Sequence, residues 1–418
     1  MSQPAWGPKP PFTYMPRLDE HYAPAQDTSG LSASTGYLTM TSVLPLPGSL
    51  DRPGPGSPVT SQPTAAPPSP SRDRSASSFT ALTRSIQEMG LMRRRYGYYW
   101  ARLIGAVLIL AAWVVVFILI GDSWWQLANA GVLAVLMTQI SFLGHDAAHR
   151  QIFKSGRWND WVSLIIANLL VGISYGWWQR EHNRHHANPN KVGADPDIAL
   201  TALALTPAQA TKQRSQLMGW LVAHQGWYFF PILLLLGLSM HHEAIRRVIS
   251  PAKIQRRWVE ISFLILRLGG LALLVFLVLP PEKAVAFLAV QLAVFGLYMG
   301  SSFAPNHIGM PLVSAKLKLD FLRRQVLMSR NISGGSLISI LMGGLNYQIE
   351  HHLFPSMARP YLRKAQPLVA AYCAAQGVPY TRTTLWQSYR AVIGYLNSVG
   401  LRGKDPFLCP LIAQRRAL

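Results

Sequence analysis

Residues 103–149 read LIGAVLILAAWVVVFILIGDSWWQLANAGVLAVLMTQISFLGHDAAH. Two uncharged apolar runs, Leu103–Gly121 and Gln126–Gly144, flank a short polar and aromatic corner, Asp122–Trp125. Each run is long enough to cross the roughly 30 Å hydrocarbon core of a bilayer as a helix. The corner is tight, so the second run returns beside the first. It then delivers the chain into Gly144-His145-Asp146-Ala147-Ala148-His149-Arg150.

Upstream, Arg93, Arg94, Arg95, Tyr96, Tyr98, Tyr99, Trp100 and Arg102 form a cationic and aromatic anchor at the membrane entry. Downstream, Ile261–Leu279 and Ala284–Pro305 make a second pair of spans around the corner Pro280–Lys283. The single charge in the third span, Arg267, lies near its first turns and is expected to snorkel. Two further stretches are ambiguous by hydropathy. Trp161–Gln179 is dotted with Asn168, Gly172, Ser174, Tyr175 and Gly176, and Gly219–Met240 contains His224, Gln225 and Pro231. The two corners hold one basic residue, Lys283, whereas the other connections are rich in them, from Arg150, Lys154 and Arg157 through Arg180, Arg184 and Arg246 to Arg323 and Arg324. Positive charge marks cytoplasmic loops, which places those connections inside.

Composition agrees with a membrane protein. Hydrophobic residues are 50% and charged residues 14%, against about 25% charged in an ordinary soluble domain. Mean hydropathy is only +0.18 because a polar segment dilutes it. Residues 1–79 hold half of the 30 prolines, among Ser, Thr and Gly, and sustain no apolar period. Such a tail buries too little to offset its ordering entropy and is expected to be disordered. It has no apolar region near Met1 of the signal-peptide kind. The remainder divides into a membrane domain, 80–375, and a cytoplasmic extension, 376–418. The chain has 39 Lys+Arg, 18 Asp+Glu and a net charge of +21, yet no nucleic-acid motif. Two cysteines, Cys373 and Cys409, exclude a disulfide framework, a Cys₄ zinc site and a cysteine-ligated iron–sulfur cluster.

Three histidine clusters suggest the chemistry. The first is His145 and His149. The second is Glu181-His182-Asn183-Arg184-His185-His186, and the third Gln348-Ile349-Glu350-His351-His352-Leu353-Phe354-Pro355. Offsets of three and four place side chains on one helix face. That gathers imidazoles for a metal such as iron, zinc, copper or nickel. A chance HxxHH is expected only roughly 0.01 times in a chain of this histidine content. His307 follows the end of the last span, at the same membrane face, and is a further candidate ligand. His224, His241 and His242 read as packed or interfacial histidines. Asp146, Glu181 and Glu350 stand beside cluster histidines. They either orient a ligand through its second N–H or pair with a nearby arginine. Asn183, Asn188, Asp195 and Asp197 are further candidates for such support.

One metal site needs all three clusters on one side of the bilayer, so an even number of crossings separates each pair. Trp161–Gln179 then lies in the interface or within the protein, and Gly219–Met240, with its mid-run proline, does not cross either. The expected fold is an all-α integral membrane protein of four spans, with interfacial helices and a helical cytoplasmic cap holding the metals.

These residues resemble the membrane fatty acid desaturase family over about residues 95–375. The signal is specific in QIEHHLFP, whose leading Gln is similar to the front-end, linoleoyl-CoA type and to related actinobacterial acyl desaturases. The resemblance implies a non-haem diiron centre that uses O₂ to remove two hydrogens from adjacent methylenes. By position it implies His145, His149, His182, His185, His186, His307, His351 and His352 as ligands, with Gln348 bound through water or leaving a place open. It implies an acyl-CoA or phospholipid substrate, a multi-pass location in a bacterial-type plasma membrane, and a cytoplasmic active site. No HPGG haem motif is present, so a separate ferredoxin- or cytochrome b5-type donor with its reductase is implied.

An acyl chain needs an apolar tunnel, expected from Trp161–Gln179 and Ala284–Pro305. Tyr175, Trp177 and Trp178 either shape it or belong to an aromatic belt. The basic face either docks an anionic substrate or acidic electron carrier or only enforces topology. Two other functions remain open at this point. A hydroxylase or carotenoid ketolase would share the fold and metals. A metal transporter would place its ligands at the bilayer midplane.

Overall fold

The computed structural model describes residues 73–402 except 200, 201, 213, 214 and 252, with side chains from Phe79 to Leu401. Residues 1–72 of the proline-rich tail, and 403–418 with Cys409, lie outside the described residues. Helix α1 covers Asp73–Glu88 and buries Leu82 and Ile86. Order therefore begins before residue 80, and Phe79 explains part of it. Its ring packs on Phe321 at 4.6 Å and on Phe354 at 5.6 Å between centroids.

The four expected spans are present as long apolar helices, three of them longer at one end than hydropathy alone marked and the last longer at both. They are α2 (Tyr96–Ile120), α3 (Gln126–Ala148), α8 (Arg257–Val278) and α9 (Pro281–His307). Between them lie α4 (Gly156–Leu164), α5 (Tyr175–Ala187), α6 (Gln216–Ala223) and α7 (Leu236–Ile249). After them come α10 (Phe321–Leu327), α11 (Gln348–Leu353), α12 (Arg359–Ala375) and α13 (Leu385–Arg402). Strands β1 (Asn331–Ser333) and β2 (Arg382–Thr384) form one short parallel pair.

The spans divide into an inner and an outer pair. Helix α2, 25 residues and about 37 Å long at 1.5 Å per residue, buries only Tyr99, Trp113 and Phe117. Helix α8 buries only Glu260, Leu264 and Val275. Most of their other apolar side chains are exposed or half-buried, as a lipid-facing surface requires. Helices α3 and α9 are buried along much of their length and pack on each other. Both inner helices end in histidines. At the opposite end the two corners meet, where Lys283 Nζ lies 2.6 Å from Asp122 Oδ1. The corners thus share one face and the histidines the other, as the parity argument requires.

Neither ambiguous stretch forms a single straight helix of spanning length. Helix α4 continues as a π-helical segment, Ile165–Val171, and the chain then bends by 115° into α5. Gly172 makes the bend with φ +95°, where a Cβ would meet His241 Nε2 at 3.0 Å. Gly219–Met240 is broken into short helices about Pro231. One expectation fails. Arg267 does not snorkel, because its Nε donates to Leu170 O at 2.7 Å. Leu170 lies in the last turn before Gly172, where a carbonyl lacks a helical partner, so the guanidinium turns inward to it.

Glu260, buried in the first turn of α8, fixes the same bend. It accepts from Ser174 Oγ at 2.6 Å, Gly176 N at 3.0 Å and Asn168 Nδ2 at 3.2 Å. The segment from 376 is more integrated than an extension. Within α13, Val392, Leu396 and Val399 are buried in a cluster with Phe229 and Leu233, and Asn397 Oδ1 accepts from Gly226 N at 2.8 Å.

Candidate metal centre

Each cluster is placed by a local element. His145 occupies the last turn of α3 and His149 caps it, its N–H bonded to His145 O. Helix α5 starts at Ser174, whose Oγ accepts from Trp177 N at 3.3 Å. Its offsets carry His182, His185 and His186 to one side. His351 and His352 lie on α11, and His307 is the last residue of α9.

The eight histidines converge as two adjoining groups. In one, ligand atoms of His145, His149, His182, His186 and His351 all lie within 4.8 Å of one another; the same holds for His185, His307 and His352 in the other. Nε2 of His182 stands 2.8 Å from Nε2 of His149 and 3.1 Å from those of His145 and His186. His351 and His186 are 3.2 Å apart by the same atoms, and His185 and His307 3.3 Å. The groups meet where the rings of His186 and His352 stack, 4.2 Å between centroids. Gln348 joins the smaller group, with Nε2 3.0 Å from His307 Nε2.

The outer nitrogens of the smaller group are anchored. His185 Nδ1 lies 3.1 Å from both oxygens of Asp195 and 3.3 Å from exposed Asp197. His307 Nδ1 lies 3.0 Å from Met328 O. His352 Nδ1 lies 2.9 Å from Gln325 Oε1, while Gln325 Nε2 donates to His186 O at 2.9 Å. Donation through Nδ1 leaves Nε2 as a lone pair facing inward. His352 Nε2 is buried with no hydrogen-bond partner.

Burial, followed by repulsion between the rings, holds His149, His182, His186, His351 and His352 well below the ordinary imidazole range. They are neutral at neutral pH, the form that binds a metal. His185 differs. Burial lowers it, but the carboxylates of Asp197 and Asp195 more than offset that and raise it.

Two ring nitrogens near 3 Å repel unless a proton or a cation lies between them, and His182 Nε2, with three such neighbours, has at most one proton to share. A metal–nitrogen bond of about 2.1 Å puts neighbouring ligand atoms roughly 3 Å apart, the spacing seen here. The donor set therefore fits two adjoining cations of the imidazole-binding kind. His185, Asp195 and Asp197 also form a compact cluster, but their shared contact is through His185 Nδ1, behind the ring.

The acidic neighbours of the clusters have other partners. Asp146 pairs with Arg359 at 2.6 Å and stays 3.7 Å from His145 Nδ1. Glu181 pairs with Arg184 at 3.0 Å. Glu350 accepts from Tyr380 at 2.6 Å and Asn331 at 2.7 Å, and burial pushes its carboxyl up to about 7. Residues adjacent on a helix point in different directions, so of the two readings open in the sequence Asp146 and Glu181 take the pairing with arginine. The histidine-bound carboxylate is Asp195, ahead of the 3₁₀ turn Pro196–Ile198. Gln325 and the Met328 carbonyl left no signal in the sequence. His241 is buried between Gly237 O and Val171 O, His224 Nδ1 lies 2.8 Å from Trp220 O, and His242 is exposed. All three stand outside the two groups.

An apolar cavity of about 50 Å³ opens beside His145, among Gly144, Ile166, Val171, Tyr175, Trp178, Met299 and Phe303. Its walls draw on the two stretches expected to supply a tunnel, and also on the end of α3 and on Met240. Trp178 also stacks on His182, 4.5 Å between centroids and 16° from parallel. Trp177 packs against the core without lining the cavity.

Residues 122–384 match the family model described as fatty acid desaturase. The chain is 28% identical to a Delta(8)-fatty-acid desaturase of Helianthus annuus, over 71% of this chain and 68% of that one. It is 29% identical to the Delta(5) fatty acid desaturase fat-4 of Caenorhabditis elegans, over 72% and 69%. To the Delta(6)-fatty-acid desaturase fat-3 of the same organism it is 28% identical, over 75% and 72%. With the model matching more than half of its length, the chain belongs to the fatty acid desaturase family, whose members are oxidoreductases.

Proposed function

We propose that this protein introduces a double bond into the acyl chain of an acyl-CoA or phospholipid, using two iron ions, O₂ and two electrons from a separate donor of ferredoxin or cytochrome b5 type. The observation that carries this reading is the juxtaposition of two adjoining imidazole groups with an apolar cavity that ends at His145. In the balanced reaction, two hydrogens leave adjacent methylenes, and with two electrons and two protons they reduce O₂ to two waters.

His145, His149, His182, His186 and His351 would hold one ion, and His185, His307 and His352 the other. When bound, the irons supply the oxidising power that breaks an unactivated C–H bond, for which no side chain is a strong enough base. The chain's own residues do the rest. Asp195, Gln325 and the Met328 carbonyl fix the tautomer and direction of three imidazoles. Val171, Trp178, Met299 and Phe303 exclude water and hold an extended chain against the site. The cavity has room for roughly four water-sized groups, so it takes a short reach of chain beside the metals. The basic connections favour a site on the cytoplasmic side of a plasma membrane, where a carrier headgroup and an acidic donor would both meet positive charge.

Expression in a host without desaturases, followed by fatty acid profiling, tests the reading. Wild type is expected to yield a new unsaturated chain, and His185→Ala none. An alcohol or ketone product would make the protein an oxygen-inserting enzyme instead. Active protein holding zinc and no iron would refute the iron pair.

A further inference from the structure

The smaller histidine group has three imidazoles and one carboxamide, and a carboxamide has two unlike ends. Oxygen can ligate a metal; the NH₂ group can only donate. Which end faces the site is set by neighbours, and here a chain of contacts sets it. Asn306 is buried at the end of α9. Its Nδ2 lies 3.2 Å from Leu345 O and 3.5 Å from Ser302 O. Both are main-chain carbonyls, which only accept, so the amide nitrogen of Asn306 is the end that faces them. The same nitrogen lies 3.2 Å from Gln348 Oε1. The oxygen of Gln348 is thereby occupied, and its Nε2 is turned to His307, 3.0 Å from Nε2. Reversing Gln348 alone would set two donors against each other. Reversing Asn306 as well would set its oxygen against Leu345 O.

We propose that Gln348 is not a fourth ligand but a hydrogen-bond donor aimed at the open side of the His185, His307 and His352 group, with Asn306 as the positioning residue that fixes its direction. The inference rests on the metal reading above. The place that a histidine would fill in an HxxHH cluster stays accessible, and a small anion or water entering it meets an N–H. Position 348 thus sets how that metal receives an exogenous ligand, while the three imidazoles set whether the metal is held.

The experiment uses purified full-length protein loaded with iron, with metal content measured and azide titrated as a small-anion probe by absorbance. Wild type is expected to hold about two irons per chain, and Gln348→Leu to keep both while binding azide about tenfold more weakly, the scale of one lost hydrogen bond to a charged group. Gln348→Met serves if the leucine variant does not fold. Asn306→Asp can only accept from Gln348, so it turns the carboxamide oxygen toward the site. It is expected to keep both irons, weaken azide by a similar factor, and lower kcat with KM unchanged. A merely structural Asn306 would leave azide affinity as in wild type. If Gln348→Leu holds one iron, Gln348 is a ligand and the proposal is wrong while the metal centre stands. If azide affinity is unchanged in both position-348 variants, the donor role is wrong. If wild type takes up no iron, the proposal falls together with the metal centre beneath it.

Discussion

The two histidine groups differ in what stands behind them. In the group of His185, His307 and His352, every outer nitrogen meets an acceptor, respectively Asp195, Met328 O and Gln325. In the group of His145, His149, His182, His186 and His351, the outer nitrogens of His145 and His351 are buried with no hydrogen-bond partner. One group is small and tightly oriented; the other is larger and held by the packing of its rings. Numbers of ligands and rigidity of ligands are alternative ways of holding a cation, and this site uses both side by side.

The largest expected effect follows from the lack of a spare in the small group. His185→Ala should lower iron from about two per chain toward one and cut product formation by more than about a hundredfold, beyond what loss of an outer partner does. His149→Ala, which leaves four imidazoles in its group, should keep both irons. Metal analysis of the two variants side by side checks this. Equal iron loss would erase the distinction between the groups.

Next come the anchors. Asp195→Asn should weaken one of the two irons by about ten- to a hundredfold, read by chelator competition, and leave the other unchanged. Asp146→Asn is the contrasting carboxylate, since its short contact is to Arg359 at 2.6 Å while His145 Nδ1 stands 3.7 Å away. It should leave iron affinity alone but destabilise the fold by about 3–5 kcal/mol, because a buried guanidinium loses its partner. Gln325→Leu removes the bond behind His352 and the one to His186 O. Its expected loss is about tenfold in iron affinity. If Asp146→Asn releases iron while Asp195→Asn does not, the assignment of anchors is inverted.

How much of this was legible in the sequence depends on the range of each interaction. The spans were legible because apolar length is a local property, and the clusters because offsets of three and four are local to one helix turn. A shared site was the premise from which the crossings were counted, and the meeting of His149 with His182, and of His307 with Gln348, agrees with it. What escaped was tertiary. Gln325 lies on a separate short helix, and Asn306 reads as an ordinary neighbour of His307; Asp195 was one of four candidates for support, and only its reach to His185 across a turn singles it out. Arg267 turns inward rather than snorkelling because a helix ending at Gly172 leaves the Leu170 carbonyl without a helical partner, which hydropathy does not register. Glu260, at the edge of an apolar run, gave no hint that it ties α8 to the start of the second cluster's helix.

The smallest expected effect sharpens the contrast from the other side. Glu181 precedes His182 directly, which made it a candidate to orient that ligand. Its carboxylate instead faces Arg184 one turn on, at 3.0 Å, with the guanidinium side chain 52% exposed. Water screens such a pair, and pairs of this type contribute about 0.3–0.5 kcal/mol. Glu181→Gln should therefore shift stability by no more than that and leave iron content, azide affinity and product yield at wild-type levels. A tenfold loss of iron in this variant would mean that the larger group has a carboxylate anchor after all. The two groups would then be alike in construction, and the difference in their tolerance of histidine loss would need another cause.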